Sequence, residues 1–372
     1  LVKIRLQGAK RNSHGIGAKV TIETSAGIQT RYLTSCQGYA SANEPVLHFG
    51  LGEATVIKRL TVRWPLGTEQ TFEDLPVDRL LVVTEPSETK FSPPAPKPKP
   101  KPWFASSDAL AAFKHKENNF EDFKVQPLLP HRLSRLGPGM ALGDVDGDGD
   151  EDIFLGGASG QGSSLALNDG KGGFVLSPQP QFLNEQMIPF EDMGAVFMDS
   201  DSDGDLDLYL SSGGFDPRPK PLYLRDRLFL NDGKGHFTID LHATPNLRDS
   251  GGPVAAADFD RDGDLDLFVG GRVVRTSYPT TPNSRLLRND GGKFSDLTDS
   301  IAPGLRLTGM VTGVLWSDFD DDGWLDLLVT HEWGPVAVWK NQKGKLVNVS
   351  ASAGTADLLG WWTGIAAADL DG

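Results

Sequence analysis

The stretch Asp144-Val145-Asp146-Gly147-Asp148-Gly149-Asp150-Glu151-Asp152 runs directly into Ile153-Phe154-Leu155-Gly156-Gly157. Its carboxylates at positions 1, 3, 5 and 9, with glycine at 6, converge on one point when the backbone curls around a cation. A hard divalent ion taking six to eight oxygens at about 2.3–2.6 Å fits such a cluster. Without an ion the carboxylates repel one another. The pattern recurs as Asp199, Asp201, Asp203, Gly204, Asp205 and Asp207, then as Asp258, Asp260, Asp262, Gly263, Asp264 and Asp266. It recurs again as Asp318, Asp320, Asp322, Gly323, Trp324 and Asp326, and a further copy opens at Asp369-Leu370-Asp371-Gly372. Position 7 varies from Asp150, Asp205 and Asp264 to Trp324, which suits a ligand offered by the backbone carbonyl. The expectation is about one Ca2+ per complete loop, held for a structural purpose.

These loops are not EF-hands, which need a bidentate Glu at position 12 and a helix on each side. Position 12 here is Leu155, Leu210, Val269 or Val329. Each loop lies between a small apolar run and a bulkier one such as Leu267-Phe268-Val269, both reading as buried strands. A second element recurs between the loops: Asn168-Asp169-Gly170, Asn231-Asp232-Gly233, Asn289-Asp290-Gly291 and the weaker Asn341-Gln342-Lys343. Asn-Asp-Gly between apolar runs is a tight hairpin signal. First aspartates at 144, 199, 258, 318 and 369 give a unit of 51 to 60 residues. Four antiparallel strands per unit make one blade of an all-β propeller, a radial repeat that leaves only short sheet edges.

Over residues 125–372 this pattern resembles the FG-GAP/VCBS repeats of integrin-α-like propellers and bacterial surface proteins. The resemblance implies a ring of usually seven blades, so the blades here are expected to be an incomplete set, truncated at the fifth loop. Residues 1–86 carry no such loop and read as a separate small β domain, with strands at 2–6, 18–24, 29–33, 46–49, 57–64, 70–72 and 80–84. There Gly8-x-x-x-Asn12-x-x-Gly15-Ile16-Gly17-Ala18, Gly38-Tyr39, His48-Phe49-Gly50-Leu51-Gly52 and Val62-Arg63-Trp64-Pro65-x-Gly67 resemble the ASPIC/UnbV domain. Residues 87–102, rich in Pro and Lys, form a linker, read as a stiff polyproline-II spacer of roughly 3.1 Å per residue. Residues 103–372 hold the blades, after a short helix expected over 108–116 with Asp108 as N-cap.

The net charge of −14 and pI near 4.9 argue against nucleic acid and anionic membrane surfaces as partners. Of the 50 acidic residues 21 sit in the four complete loops, offset there only by Arg261, so the net negative charge is concentrated as local ligand charge. Cys36 is the single cysteine, which rules out a disulfide framework within the chain. Calcium loops at this density are most readily filled outside the cytosol, where metal clips replace disulfides as staples. The reading is therefore an extracellular or cell-envelope protein, with no stretch long enough to insert directly in a membrane.

No Gly-x-Ser-x-Gly elbow, Gly-rich phosphate loop or His-Glu-x-x-His occurs, and no catalytic residue is expected. Candidates for ligand contact lie outside the loops: Arg272 and Tyr278 in a Pro-rich excursion, His331-Glu332-Trp333, and Trp361-Trp362. Aromatic rings beside polar groups stack on sugars or anchor a protein partner, although tryptophans also fill space between blades. The first reading is thus a calcium-binding adhesion or binding module with a glycan or protein ligand on the cell surface or matrix. One alternative is an enzyme acting on an extracellular polysaccharide with the propeller as scaffold. Another is a structural element of a surface array, for which self-association would be the sign.

Overall fold

A computed structural model of the chain describes residues 1–9, 12–35, 42–87, 102 and 104–368. Cys36, Gly38, Tyr39, nearly all of the Pro/Lys linker, and the fifth-loop residues Asp369 and Asp371 lie outside the described residues. The chain divides into two compact units, Leu1–Ala105 and Ser106–Gly372.

The first unit has seven strands: β1 (Val2–Gln7), β2 (Lys19–Thr24), β3 (Gly27–Tyr32), β4 (Val46–Phe49), β5 (Val56–Arg63), β6 (Glu69–Pro76) and β7 (Leu80–Thr84). One sheet runs β3-β2-β5-β6 and the other β4-β1-β7, with β1 parallel to β7. Alternation puts Val2, Ile4 and Leu6 of β1 and Val20 and Ile22 of β2 in one core with Leu60, Val62 and Trp64. The Asn12 side chain donates to the Ile16 carbonyl and accepts from its N–H, at 2.8 and 2.9 Å, closing the turn that carries Gly15. A Cβ on Gly15 would lie 2.9 Å from the Trp64 ring, which explains the glycine after that asparagine.

The second unit contains three four-stranded antiparallel sheets and a fourth that adds a short fifth strand. The first holds β8 (Met140–Gly143), β9 (Asp152–Leu155), β10 (Ser164–Asn168) and β11 (Phe174–Ser177). The second holds β12 (Asp192–Met198), β13 (Asp207–Ser212), β14 (Arg227–Asn231) and β15 (Phe237–Asp240). The third holds β16 (Gly251–Ala257), β17 (Asp266–Gly271), β18 (Arg285–Arg288) and β19 (Ser295–Asp296). The fourth holds β20 (Met310–Ser317), β21 (Asp326–Gly334), β22 (Ala337–Asn341) and β23 (Leu346–Asn348), and β24 (Gly360–Trp361) pairs with the end of β21.

Strands follow one another in each sheet, and the first strands lie side by side: β8 packs on β12, β12 on β16 and β16 on β20. That is the arrangement of propeller blades around a hub. Apolar side chains fill each gap between blades, among them Phe154, Leu208 and Phe229 in the first and Tyr209, Leu267 and Val269 in the second. Phe268, Leu327 and Val329 fill the third. Residues 108–116, expected as a helix, form only turns, with Ala111 and Phe113 donating to Asp108 and Leu110. Their side chains are mostly exposed, and so short a segment is not helical without a packed face.

The hub sets a tight steric condition. A Cβ on Gly194 of β12 would lie 2.3 Å from the Gly252 carbonyl oxygen of β16, which is backbone and has little room to retreat. Gly194→Ala is therefore expected to destabilise the second unit by about 2–3 kcal/mol, read as a lower denaturation midpoint of the full chain. An unchanged midpoint would show that the hub can relax.

Candidate functional site

Each loop joins the first strand of a blade to the second, so all four stand at one end of the blades. The aspartate at position 9 organises them. Asp152, Asp207, Asp266 and Asp326 are all fully or almost fully buried. Their Oδ2 atoms accept the position-2 N–H of Val145, Ser200, Phe259 and Phe319 at 2.9, 3.2, 3.4 and 3.1 Å. Their Oδ1 atoms accept the N–H of Asn168, Asn231, Asn289 and Asn341 at the end of the third strand, at 2.8, 2.8, 2.8 and 2.7 Å. The asparagine side chain then reaches the preceding blade. Asn231 Nδ2 donates to Val145 O at 2.8 Å, Asn289 to Ser200 O at 2.7 Å and Asn341 to Phe259 O at 2.7 Å. Sequence reasoning saw these asparagines as turn residues only; the recurrence of one asparagine after every loop was the available signal.

Positions 1, 3 and 5 or 9 bring carboxylate oxygens within 4.8 Å of one another in the sets Asp144/Asp146/Asp152, Asp199/Asp201/Asp203, Asp258/Asp260/Asp262 and Asp318/Asp320/Asp326. Asp146 Oδ1, Asp199 Oδ1, Asp258 Oδ1 and Asp260 Oδ1 are buried with no hydrogen-bond partner, and free lone pairs of this kind suit a hard cation. Position 1 also accepts the position-6 N–H: Gly149 to Asp144, Gly204 to Asp199, Gly263 to Asp258 and Gly323 to Asp318. Burial first, then neighbouring carboxylates, hold Asp146, Asp201 and Asp260 above the usual carboxylate range. Burial pushes Asp266 up to about 7. The side chains of Asp148, Asp150, Asp205, Asp264 and Asp322 fall outside these four close sets.

The ligand candidates gather at the other end of the blades, about 20 Å away along strands of six residues. Arg272, just past β17, donates to Glu332 Oε2 at 2.5 Å, and the Tyr278 hydroxyl donates to Oε1 at 2.6 Å. Trp333 Nε1 donates to the Tyr278 oxygen, and the Trp333 ring lies 4.7 Å from Trp361, which lies 5.1 Å from His131. Trp333 and Trp361 are 59% and 41% exposed, too open to be spacers between blades. Trp362 donates to Gly334 O and Leu358 O. A cavity of about 320 Å³ opens here, lined by His131, Met193, Arg272, Thr312, Trp361 and Trp362 among others. Arg272 Nη1 and His131 Nδ1 are buried without a partner. His331, by contrast, is fully buried, with Nδ1 2.8 Å from Pro335 O and Nε2 3.1 Å from the Thr308 hydroxyl. Burial lowers its pKa and keeps it neutral, so it serves the core and not the cavity.

Glu191 is an acid that sequence reading missed. Burial, then Glu117 and Asp216, push its pKa to about 8. Its Oε2 accepts from Asn118 at 3.4 Å, while Oε1 has no partner. It does not line the cavity beside Arg272. A carboxyl held above its unfolded value near 4.5 favours folding while protonated, so its contribution is complete below about 4.5 and is lost as pH rises to about 8. Glu191→Gln is thus expected to leave stability unchanged at pH 4 and to raise it by about a few kcal/mol at pH 9, read by denaturant midpoints. An equal effect at both pH values would remove this role.

Two family models match the chain: ASPIC and UnbV over residues 8–90, and the FG-GAP-like repeat over residues 144–210, 223–269 and 318–372. Cartilage acidic protein 1 of Mus musculus is 27% identical over 224 residues, covering 56% of this chain and 31% of that protein. The Homo sapiens protein of the same name is 27% identical over 214 residues, covering 56% and 30%. The chain thus spans less than a third of the length of these curated relatives. A solved structure from Bifidobacterium bifidum s17, named for an exo-beta-1,3-galactanase, superposes at TM-score 0.34 with 10% identity, over 59% of this chain and 74% of that one. That likeness is too slight to carry an argument. The loops, the four-stranded sheets and both family matches agree: this chain joins an ASPIC/UnbV domain to FG-GAP-like repeats.

Proposed function

We propose that the chain is an extracellular or cell-envelope binding module, stiffened by calcium at one end of its blades and holding a ligand at the other. The observation that carries the binding surface is Arg272 Nη1, which lines the cavity buried and unpartnered beside the exposed rings of Trp361 and Trp333. Arg272 and Glu332 cancel in charge, so the remaining N–H offers a hydrogen bond to a neutral acceptor such as a sugar hydroxyl or a peptide carbonyl. Exposed indole rings supply the stacking face. The ligand is then a glycan or a protein, held without covalent chemistry. An extracellular setting is supported by the density of the loops, the relatives named for cartilage, and the finding that among the described residues no helix is long and apolar enough to cross a membrane.

Calcium in the loops would act through the unpartnered oxygens of Asp146, Asp199, Asp258 and Asp260, removing repulsion between carboxylates that position 9 already holds in place. The full chain is expected to melt at higher temperature as free calcium rises from chelator to millimolar, with magnesium failing to reproduce the shift. Asp203→Ala should cost about a few kcal/mol at saturating calcium and almost nothing in chelator. No calcium-dependent shift would leave the loops as acidic turns and remove the first half of the proposal.

Tryptophan fluorescence of the same protein, titrated with a panel of soluble glycans, tests the second half. Quenching by at least one glycan, weakened about tenfold or more in Trp361→Ala, is the expected result. Binding that ignores Trp361, or that no glycan produces, would move the ligand surface elsewhere or to a protein partner.

A further inference from the structure

The four loops are alike in their aspartates but not in what stands over them. The residue before the conserved asparagine is Leu167 in the first blade, Leu230 in the second, Arg288 in the third and Lys340 in the fourth. The hydrogen bond from each asparagine N–H to its position-9 aspartate fixes the same register in all four blades, so these side chains occupy equivalent places. In the first two blades that place is apolar. In the fourth, Lys340 Nζ donates to Asp320 Oδ2 and lies 3.0 Å from Asp322 Oδ2, positions 3 and 5 of the loop.

The loops also differ in the partners of their carboxylates. Among the described residues, buried oxygens without a partner occur at Asp146 in the first loop, Asp199 in the second, and Asp258 and Asp260 in the third. In the fourth loop both oxygens of Asp318 accept backbone N–H groups, from Asp322 and Gly323, while the exposed Asp320 and Asp322 pair with Lys340. Arg288 of the third blade leaves two oxygens unpartnered despite its charge, so that loop keeps lone pairs for an ion. A second cation also pins the fourth loop from outside: Arg261 of the third loop donates to Gly323 O, with its guanidinium 4.2 Å above the Trp324 ring. An ammonium and a divalent ion competing for the same carboxylates repel each other at this range.

We propose that Lys340 serves the fourth loop as a built-in cation, so that this loop keeps its form without calcium while the other three take the ion. The proposal rests on the calcium reading above. It makes the fourth blade a metal-independent anchor within a metal-dependent array, and it makes residue 340 the specificity-determining position of its loop.

The test is amide hydrogen exchange on the full chain in millimolar calcium and in chelator, read at the position-6 glycines, whose N–H groups bond the position-1 aspartates. In chelator, exchange at Gly149, Gly204 and Gly263 is expected to quicken by roughly tenfold or more, while Gly323 changes by less than about twofold. Lys340→Leu should make Gly323 respond to chelator like the others and add one bound calcium per chain by equilibrium dialysis. The reciprocal change, Leu230→Lys, should remove one bound ion and render Gly204 insensitive. Gly323 quickening together with the other glycines in the unaltered chain would overturn the proposal and leave the calcium reading intact. No response at any of the four glycines would end the calcium reading, and this proposal with it.

Discussion

A buried carboxylate that accepts from two parts of a blade at once is the constraint on which the repeat unit depends. The ninth aspartate of each loop bonds its own loop through the second N–H and its own third strand through the asparagine N–H. Its burial would be costly if either donor were missing, because an unsatisfied buried acceptor loses its hydration without recompense. With both present, loop, second strand and third strand are locked into one register. The asparagine so positioned spends its side chain on the neighbouring blade. One residue type at one position thereby links loop, blade and neighbouring blade.

The two ends of the blades solve opposite electrostatic problems. The loop end concentrates acids, offset in the fourth blade by Lys340. The far end pairs its charges internally: Arg227 with Asp192, Arg272 with Glu332, Arg285 with Asp249. Guanidinium groups suit such buried pairs because their planar fork satisfies a carboxylate while the remaining N–H stays available. On the proposed function, separating the two ends would let calcium stiffen the blades without placing ions beside the cavity.

The loops and hairpins were legible because both are local: an acidic Asp-x-Asp-x-Asp-Gly loop and a tight turn each declare themselves within about ten residues, and their common period gives the blade. All seven strands of the first unit were visible for the same reason, since alternation such as Leu60, Val62 and Trp64 against Arg59, Thr61 and Arg63 marks one buried face. Contacts that cross blades were not legible. Nothing local says that Asn289 reaches Ser200, that Arg272 meets Glu332, or that Lys340 lies over Asp320. The short helix expected over 108–116 does not form, because a capping residue cannot stand in for a face to bury. His331 had the right neighbours in sequence, but it is buried with its ring nitrogens beside Pro335 and Thr308, while Glu332, buried as well, pairs with Arg272.

The asparagine contacts all run one way, from each blade back to the loop before it. A loop's second carbonyl therefore stays without its protein partner until the next blade has been made. At roughly 5–20 residues per second, one repeat leaves the ribosome in about 3–12 s, and for that interval the newest loop is held only from its own side. The array of blades consequently matures with a lag of one unit, each blade finishing its predecessor as the nascent chain advances.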